Sequence, residues 1–371
     1  MSTNKFFRLA ILFLASTPYL HAQVSASLTG VITDTSGGRV AAASITVTNI
    51  ETGAIRISVT NEDGRYEVLA LPVGEYSISV SKNGFQEQTR GGIHLAVGQE
   101  AGVDLTLQVG TEKQQVTVKE EAPMVNTTTS DISGLVGERQ VKELPLNGRS
   151  YDLLMTLNPG IVNFTSQKTG GTGISNSTTA NNFAVSGNRP QQNIFLLNGV
   201  EYSGAAENNM QPGGTSGMLL GVDAVREFNV ERDSYGAELG KHPGGQVIIV
   251  TQSGSNQWHG SAYEFLRNNA LDAANFFDQG SAPPFQRNQF GVSGGGPIQP
   301  DKTFVFANYE AFRQNLHQTS AAFVPDATSR ANAVASVQPL LNLWPTAPAG
   351  APDFNGIAEV FSSPLQTVRE D

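Results

Sequence analysis

Residues 225–255, VREFNVERDSYGAELGKHPGGQVIIVTQSGS, decide the fold. They set two β-type segments around a Tyr235-Gly236 turn and a Gly244-Gly245 pair. Val225, Phe228 and Val230 lead in, and residues 246–251 leave as a strand rich in β-branched residues. Adjacent glycines before such a strand predict backbone at positive φ and a second chain segment packed close against it. Val247-Ile248-Ile249-Val250 is a continuous apolar run. A run of that kind belongs in the centre of a sheet, buried on both faces, so residues around it are expected to form a small mixed α/β domain.

Upstream, residues 27–109 show short alternating segments with turn signals at regular intervals, the pattern of a β-sandwich. Ile45 and Val47 alternate with Thr46 and Thr48, and Tyr76, Ile78 and Val80 alternate with Ser77, Ser79 and Ser81. Glu62-Asp63-Gly64 and Pro72-Val73-Gly74 supply turns. Residues 110–130 read as an exposed linker holding one extended segment, Gln115-Val116-Thr117-Val118. The same four residues read equally well as a last strand of the sandwich.

Between linker and deciding stretch, Tyr151 to Leu157 is a helix-compatible run closed by Asn158-Pro159-Gly160. Phe183 to Arg189 and the apolar strand Ile194 to Leu197 follow, the latter closed by Asn198-Gly199, a pair suited to a type I′ hairpin turn. After Gly254, residues 260–267 and 289–293 read as strands, Gly294-Gly295-Gly296-Pro297 as a break, and Pro300-Asp301-Lys302 as a turn into residues 303–313. Residues from 320 onward, with five prolines between 325 and 352, read as a long loop with one short helix around 330–343.

The ordered set Asp63-Gly64-Arg65-Tyr66, Leu71-Pro72-Val73-Gly74-Glu75-Tyr76 and Gly84-Phe85 resembles the carboxypeptidase regulatory-like domain, an immunoglobulin-like or carbohydrate-binding-like sandwich. The deciding stretch resembles the end of the plug in TonB-dependent outer-membrane receptors, with Phe228-Asn229-Val230 where the family has an acidic strand end. Leu144-Pro145-Leu146-Asn147-Gly148-Arg149 resembles the Oar-like group of those receptors. So do Trp258-His259-Gly260, Tyr263-Glu264-Phe265 and Asp301-Lys302-Thr303 at the first barrel strands. The resemblance implies a mainly β chain: a signal peptide at 1–22, the sandwich at 23–109, the linker at 110–130, the plug at 131–255 and the start of a transmembrane β-barrel at 256–371.

Several expectations follow from that resemblance. Arg149, Gly187, Arg189, Asn198, Gly199, Tyr235, Gly236, Gly244 and Gly245 are the plug motif, and the two arginines are expected to pair with the barrel wall. Gln115 to Val118 is the candidate TonB box, adding as a strand to the TonB energy-transducing complex. Further partners implied are outer-membrane lipid and a transported solute, with carbohydrate one candidate. A plugged transporter has about 22 strands of roughly 9 to 11 residues each, more wall than 256–371 supplies, so the chain is expected to be the N-terminal part of a longer protein. The alternative is a carbohydrate- or protein-binding surface module, which would display aromatics on one sandwich face; Tyr66, Tyr76 and Phe85 are the candidates, and each suits a core equally well.

Composition narrows the chemistry. The chain has no Cys, which removes disulfides and thiolate metal sites. A formal net charge of −10 opposes nucleic-acid binding. Lys5 and Arg8 precede an apolar stretch too short to span a membrane, which suits a secretory signal ending at Ala22, although Leu20 fits its cleavage pattern imperfectly. Residues 296–303 miss a phosphate-binding loop, since Asp301 stands where its second glycine belongs and Pro297 and Pro300 lack donors. The five His residues show no ligand spacing, and no nucleophile and base stand together, so neither a metal, a cofactor nor an enzymatic activity is expected.

Overall fold

The computed structural model of the chain describes residues 26–110, 116–119, 132–146, 149–163, 183–202, 220–236, 239–274, 282–317, 320–347, 353–354, 357–362 and 365–370. The expected signal peptide and Gln115 lie outside the described residues. Two compact units are present: residues 1–260 with 293–308, and residues 261–292 with 309–371.

The first unit opens with the sandwich. Strands β1 (Ala26–Asp34), β2 (Ser44–Asn49), β3 (Ile55–Val59), β4 (Arg65–Leu71), β5 (Gly74–Ser81), β6 (Gln88–Leu95), β7 (Glu100–Gly102), β8 (Leu105–Leu107) and β9 (Val116–Lys119) follow in chain order. One sheet runs β4-β1-β7, with β8 also on β1, and the other runs β3-β2-β5-β6-β9. Leu28, Ile32, Ile45, Val47, Ile78, Val80, Ile93 and Leu95 are fully buried between them. Their period-two spacing is what sends them inward while the intervening Ser and Thr face out. Tyr66 and Tyr76 are core residues whose hydroxyls donate to the Val103 and Pro72 carbonyls, both at 2.7 Å.

Of the two readings of the segment after residue 110, its described part takes the strand. Val116 to Lys119 lie parallel to β6, from the pair Gln88 and Val116 to the pair Gly91 and Lys119, so the sheet continues past residue 109. An edge strand leaves N–H and C=O groups unpaired, and a Val-Thr-Val segment is well suited to cover them.

The next layer is a five-stranded mixed sheet in the order β10-β15-β16-β13-β14. Its strands are β10 (Ile132–Val136), β13 (Ile194–Leu197), β14 (Val200–Glu201), β15 (Val225–Asp233) and β16 (Gln246–Thr251); a separate pair joins β11 (Ile161–Asn163) to β12 (Phe183–Val185). Helix α1 (Glu138–Glu143) and short 3-10 turns at Tyr151–Leu157, Pro190–Gln192 and Val222–Ala224 complete it. As its composition requires, β16 is central, antiparallel to β15 and parallel to β13. Val247 and Ile249 enter one core with Phe183, Phe228, Val230, Tyr151 and Met155, while Ile248 on the other face meets Val73 and Val97 of the sandwich.

Four further strands make a sheet in the order β17-β18-β19-β23: β17 (His259–Asn268), β18 (Phe285–Gln299), β19 (Thr303–His317) and β23 (Leu365–Glu370). Along β18, Phe285, Gln289 and Gly291 are buried while Gln286, Phe290 and Val292 are exposed, the alternation of a wall with two different environments. Gly294 to Pro297 do not break this strand. A Cβ on Gly296 would strike the Trp258 indole, and one on Gly295 would stand 2.8 Å from Phe306 Cδ2, so these glycines make room for aromatic side chains inside a continuous strand.

The expected terminal loop is also corrected. It contains β20 (Ser320–Pro325), helices α2 (Ala327–Asn332) and α3 (Gln338–Leu341), and strands β21 (Asp353–Phe354) and β22 (Ile357–Ser362), with the sheet order β20-β22-β21. Asp326 caps α2 by accepting from the Ser329 N–H at 2.5 Å, and Arg330 ties the helices together by donating to the Leu341 carbonyl at 2.7 Å. Prolines marked turns between short strands there, and alternation over so few residues was too brief to register. Among the described residues no helix is long and apolar enough to cross a membrane.

Candidate functional site: the charged face of the central sheet

Strand β15 is buried from Val225 to Glu231 although four of those seven residues are polar or charged. Burial of that kind demands partners, because an unpaired buried charge is expensive. A bulge between Val225 and Glu227 inserts Arg226 as an extra residue, which lets neighbouring side chains reach the same side. Both reach the sandwich.

Arg226 forms a fork with Glu51, Nη1 donating to Oε2 at 2.9 Å and Nη2 to Oε1 at 2.7 Å. Glu51 is presented by a turn after β2, in which the Asn49 side chain accepts the N–H groups of Glu51 and Thr52, each at 2.9 Å. Burial works to lower the Arg226 pKa, and the hydrogen bonds and charge of Glu51 outweigh it, so the net direction is upward. Glu227, only 1% exposed, accepts the Val97 N–H at 2.6 Å. Its carboxyl is held above the usual range by burial, with the Val97 N–H, His94 and Arg226 pulling the other way. His94 stands 4.0 Å from Glu227 through Nε2 and 2.9 Å from Glu75 through Nδ1. Glu138 lies nearby: burial raises its carboxyl, and hydrogen bonds from Lys142 and Gln252 bring it below the ordinary value.

The same turn reaches one step further. The Asn256 N–H donates to the Glu51 carbonyl at 2.8 Å, and the Asn256 side chain donates to Asp301 Oδ1 at 2.8 Å while accepting the Asp301 N–H at 2.9 Å. Asp301 occupies the hairpin turn between β18 and β19 with φ +61. One sandwich turn therefore touches the central sheet and, through Asn256, the β18–β19 hairpin turn.

The residues singled out from sequence fall into three places. Gly187, Arg189, Tyr235, Gly236, Gly244 and Gly245 surround the start of β16. There the Gly244 N–H donates to the Gln192 carbonyl at 3.1 Å, Tyr235 OH to the His242 carbonyl at 3.1 Å, and the Gly245 N–H to Asn193 Oδ1 at 2.9 Å. The two glycines are not at positive φ, contrary to expectation. They are small because a Cβ on Gly244 would collide with the Gln192 carbonyl and one on Gly245 would lie 2.9 Å from the Val185 methyls. Asn198 and Gly199, with φ +49 and +83, form the expected type I′ turn at the other end of β16, where Asn198 Oδ1 accepts the Thr251 N–H at 3.0 Å.

Arg149 lies apart from both groups. Its Nη2 donates to Asp223 Oδ2 at 2.8 Å within the same layer. Arg189 is exposed. Of the candidate TonB box, Val116, Thr117 and Val118 lie in β9 on the edge of the sandwich. Sequence reasoning passed over Glu51, Val97, Glu227 and Asn256; the available signal was Arg226-Glu227 set inside an otherwise buried strand pattern. Tyr66 and Tyr76 are buried and Phe85 packs on the core, and these are all the Phe, Trp and Tyr residues between 26 and 110. The sandwich thus displays no exposed aromatic platform in that span. Among the described residues no group of three or more acidic, His or Cys side chains is arranged to hold a metal ion.

Comparison with known proteins agrees with this architecture. Residues 27–108 match the carboxypeptidase regulatory-like domain, and residues 250–364 match the outer membrane beta barrel domain. The chain is thus a mainly β outer-membrane protein fronted by a sandwich, and it is similar to TonB-dependent receptors. A TonB-dependent transporter, Oar, of Myxococcus xanthus is 23% identical over 303 residues, 77% of this chain and 26% of the relative. The chain thus spans about a quarter of that relative's length. Among solved structures, the siderophore receptor of Acinetobacter baumannii aligns with a TM-score of 0.35 at 15% identity, covering 52% of this chain and 28% of that one. The ferric enterobactin receptor of Pseudomonas aeruginosa aligns with a TM-score of 0.32 at 16% identity, covering 49% and 24%.

Proposed function

We propose that this chain is the N-terminal part of a transporter that moves a solute across the outer membrane, with residues 131–255 as the plug and TonB supplying the pull. The observation that carries this reading is order along the chain. A regulatory-like sandwich comes first, an outer-membrane barrel match comes last, and a compact sheet domain with its own core lies between them. A plug needs to be a separate folded body rather than a loop, and β16 gives this domain a centre buried on both faces. The chemistry required is binding and movement, and no catalytic constellation is needed. The curated relative is a transporter.

In this reading Val116 to Val118 of the candidate TonB box, Gln115 to Val118, leave β6 to pair with TonB. Four parallel pairs are a modest attachment, since parallel pairing is the weaker kind per residue. The test is site-specific crosslinking between residues 116–118 and TonB in the native full-length protein. Backbone hydrogen bonds carry such a complex, so Val116→Pro is expected to abolish the crosslink while Val116→Thr leaves it. A crosslink that survives the proline would place the TonB contact elsewhere.

A further inference from the structure

We propose that the sandwich is a lock on the plug: the Glu51 turn holds strand β15 and the β18–β19 hairpin turn together, and the plug cannot move until Arg226 and Glu227 let go of the sandwich. This rests on the reading of residues 131–255 as a plug.

Three features of the contact support a lock rather than a permanent joint. Its apolar part is small: Val73, Val97 and Ile248 are its buried members, with Leu135, Leu196, Leu239 and Val250 partly buried around them. The rest is directional and polar, made of the Arg226 fork and the Glu227 bond to the Val97 N–H. Interfaces between domains of one chain that are polar in this way are the ones that separate. The polar groups are also costly to strand. Glu227 and Arg226 are 1% and 8% exposed, so separation exposes them to water, whereas loss of a single partner leaves a buried charge.

Geometry gives the lock its reach. Glu51 uses its carboxylate on Arg226 of β15 and its carbonyl on the Asn256 N–H, and Asn256 in turn grips Asp301 from both sides. Gly74, at φ +148, lets the sandwich backbone pass this node: a Cβ there would stand 3.2 Å from Glu51 Oε2 and 3.4 Å from Arg226 Nη2. A second close passage occurs at Gly98, at φ +71, where the corresponding distance to Glu231 Oε1 is 3.6 Å. A side chain at Gly74 would crowd Glu51 and Arg226, whereas at Gly98 it is the left-handed backbone rather than lack of space that calls for glycine.

The test uses the native full-length protein in cells lacking TonB, so that its outcome is independent of transport. Glu51→Arg and Arg226→Glu are made singly and together, and two quantities are read: hydrogen exchange of the Val97 amide, and outer-membrane leak of vancomycin, a molecule too large for intact membrane. For a lock, each single variant speeds Val97 exchange about tenfold or more and raises vancomycin sensitivity, and the double variant, which restores an opposite-charge pair, returns both toward wild type. Faster exchange without leak in the single variants would overturn the lock and leave a passive contact. Failure of the double variant to restore either quantity, while the protein remains in the outer membrane at normal amount, would overturn the pairing itself. A leak pattern as stated, combined with no TonB crosslink in cells that have TonB, would keep the lock and remove the transport reading.

Discussion

At the scale of single residues, glycine does two different jobs here, and they carry different penalties. Gly187 sits at φ +78 with open space around its missing Cβ, so Gly187→Ala meets only the backbone penalty of left-handed geometry, about 1–2 kcal/mol. Gly244 has ordinary φ but no room, because the Gln192 carbonyl and Asn193 Oδ1 fill the site. Gly244→Ala is expected to force β13 and β16 apart at their start, at about 1–3 kcal/mol. Hydrogen exchange of the Val247 and Ile249 amides reads the difference: it rises in Gly244→Ala and stays near wild type in Gly187→Ala. The sequence made the close approach at Gly244-Gly245 legible but not its partner. Gln192 lies some fifty residues upstream, brought alongside by parallel pairing of β13 to β16, and no local pattern encodes that distance. Glu227 was hidden for a related reason: an acidic residue in a strand reads as solvent-facing until a second domain covers it.

At the scale of elements, strand identity was the most legible feature and strand ends the least. Ile194–Leu197 and Gln246–Thr251 appear where their β-branched and apolar runs place them. Strand β18 runs on through three glycines and a proline; at Gly295 and Gly296 the Phe306 side chain of β19 and the Trp258 side chain just before β17 occupy the space that a larger residue would take. A glycine run looks like a break when those neighbours are unknown. The contact of β15 with the sandwich carries a pH signature. Burial raises the Glu227 carboxyl above 4.5, with His94, Arg226, Glu138, Glu75, Glu51 and Glu231 as the surrounding titratable groups. A raised carboxyl contributes stability that is complete below its unfolded value and is lost as pH rises through the folded one. Docking is therefore expected to be tighter near pH 4.5 than at pH 7, with Val97 exchange, corrected for its intrinsic rate, slowing as pH falls. Glu227→Gln should flatten that dependence, and an unchanged slope in the variant would assign it to the other groups.

At the scale of the whole molecule, the physics of an open sheet decides what the 371-residue chain does on its own. The described residues contribute four strands to the sheet that begins at β17, in the order β17-β18-β19-β23, with β17 and β23 outermost among them. In lipid each unpaired N–H or C=O is worth several kcal/mol, which is why membrane sheets close. Exposed Phe265, Leu266, Phe290, Val292 and Val305 show that this sheet nevertheless has an apolar surface for which water is a poor solvent. The two demands conflict in a four-stranded sheet and agree in a closed wall of about 22 strands. The sandwich has no such conflict, since its core residues are buried within two sheets of its own. Expressed alone, the chain is expected to keep a protease-resistant sandwich while residues after 260 are cleaved or aggregate, and to give no conductance in a planar bilayer. Fusion to the rest of a native barrel is expected to protect β17–β19 from the same protease. Stable conductance from the purified 371-residue chain would mean that strands from several copies close a wall together, and a concentration dependence of the single-channel rate would reveal it.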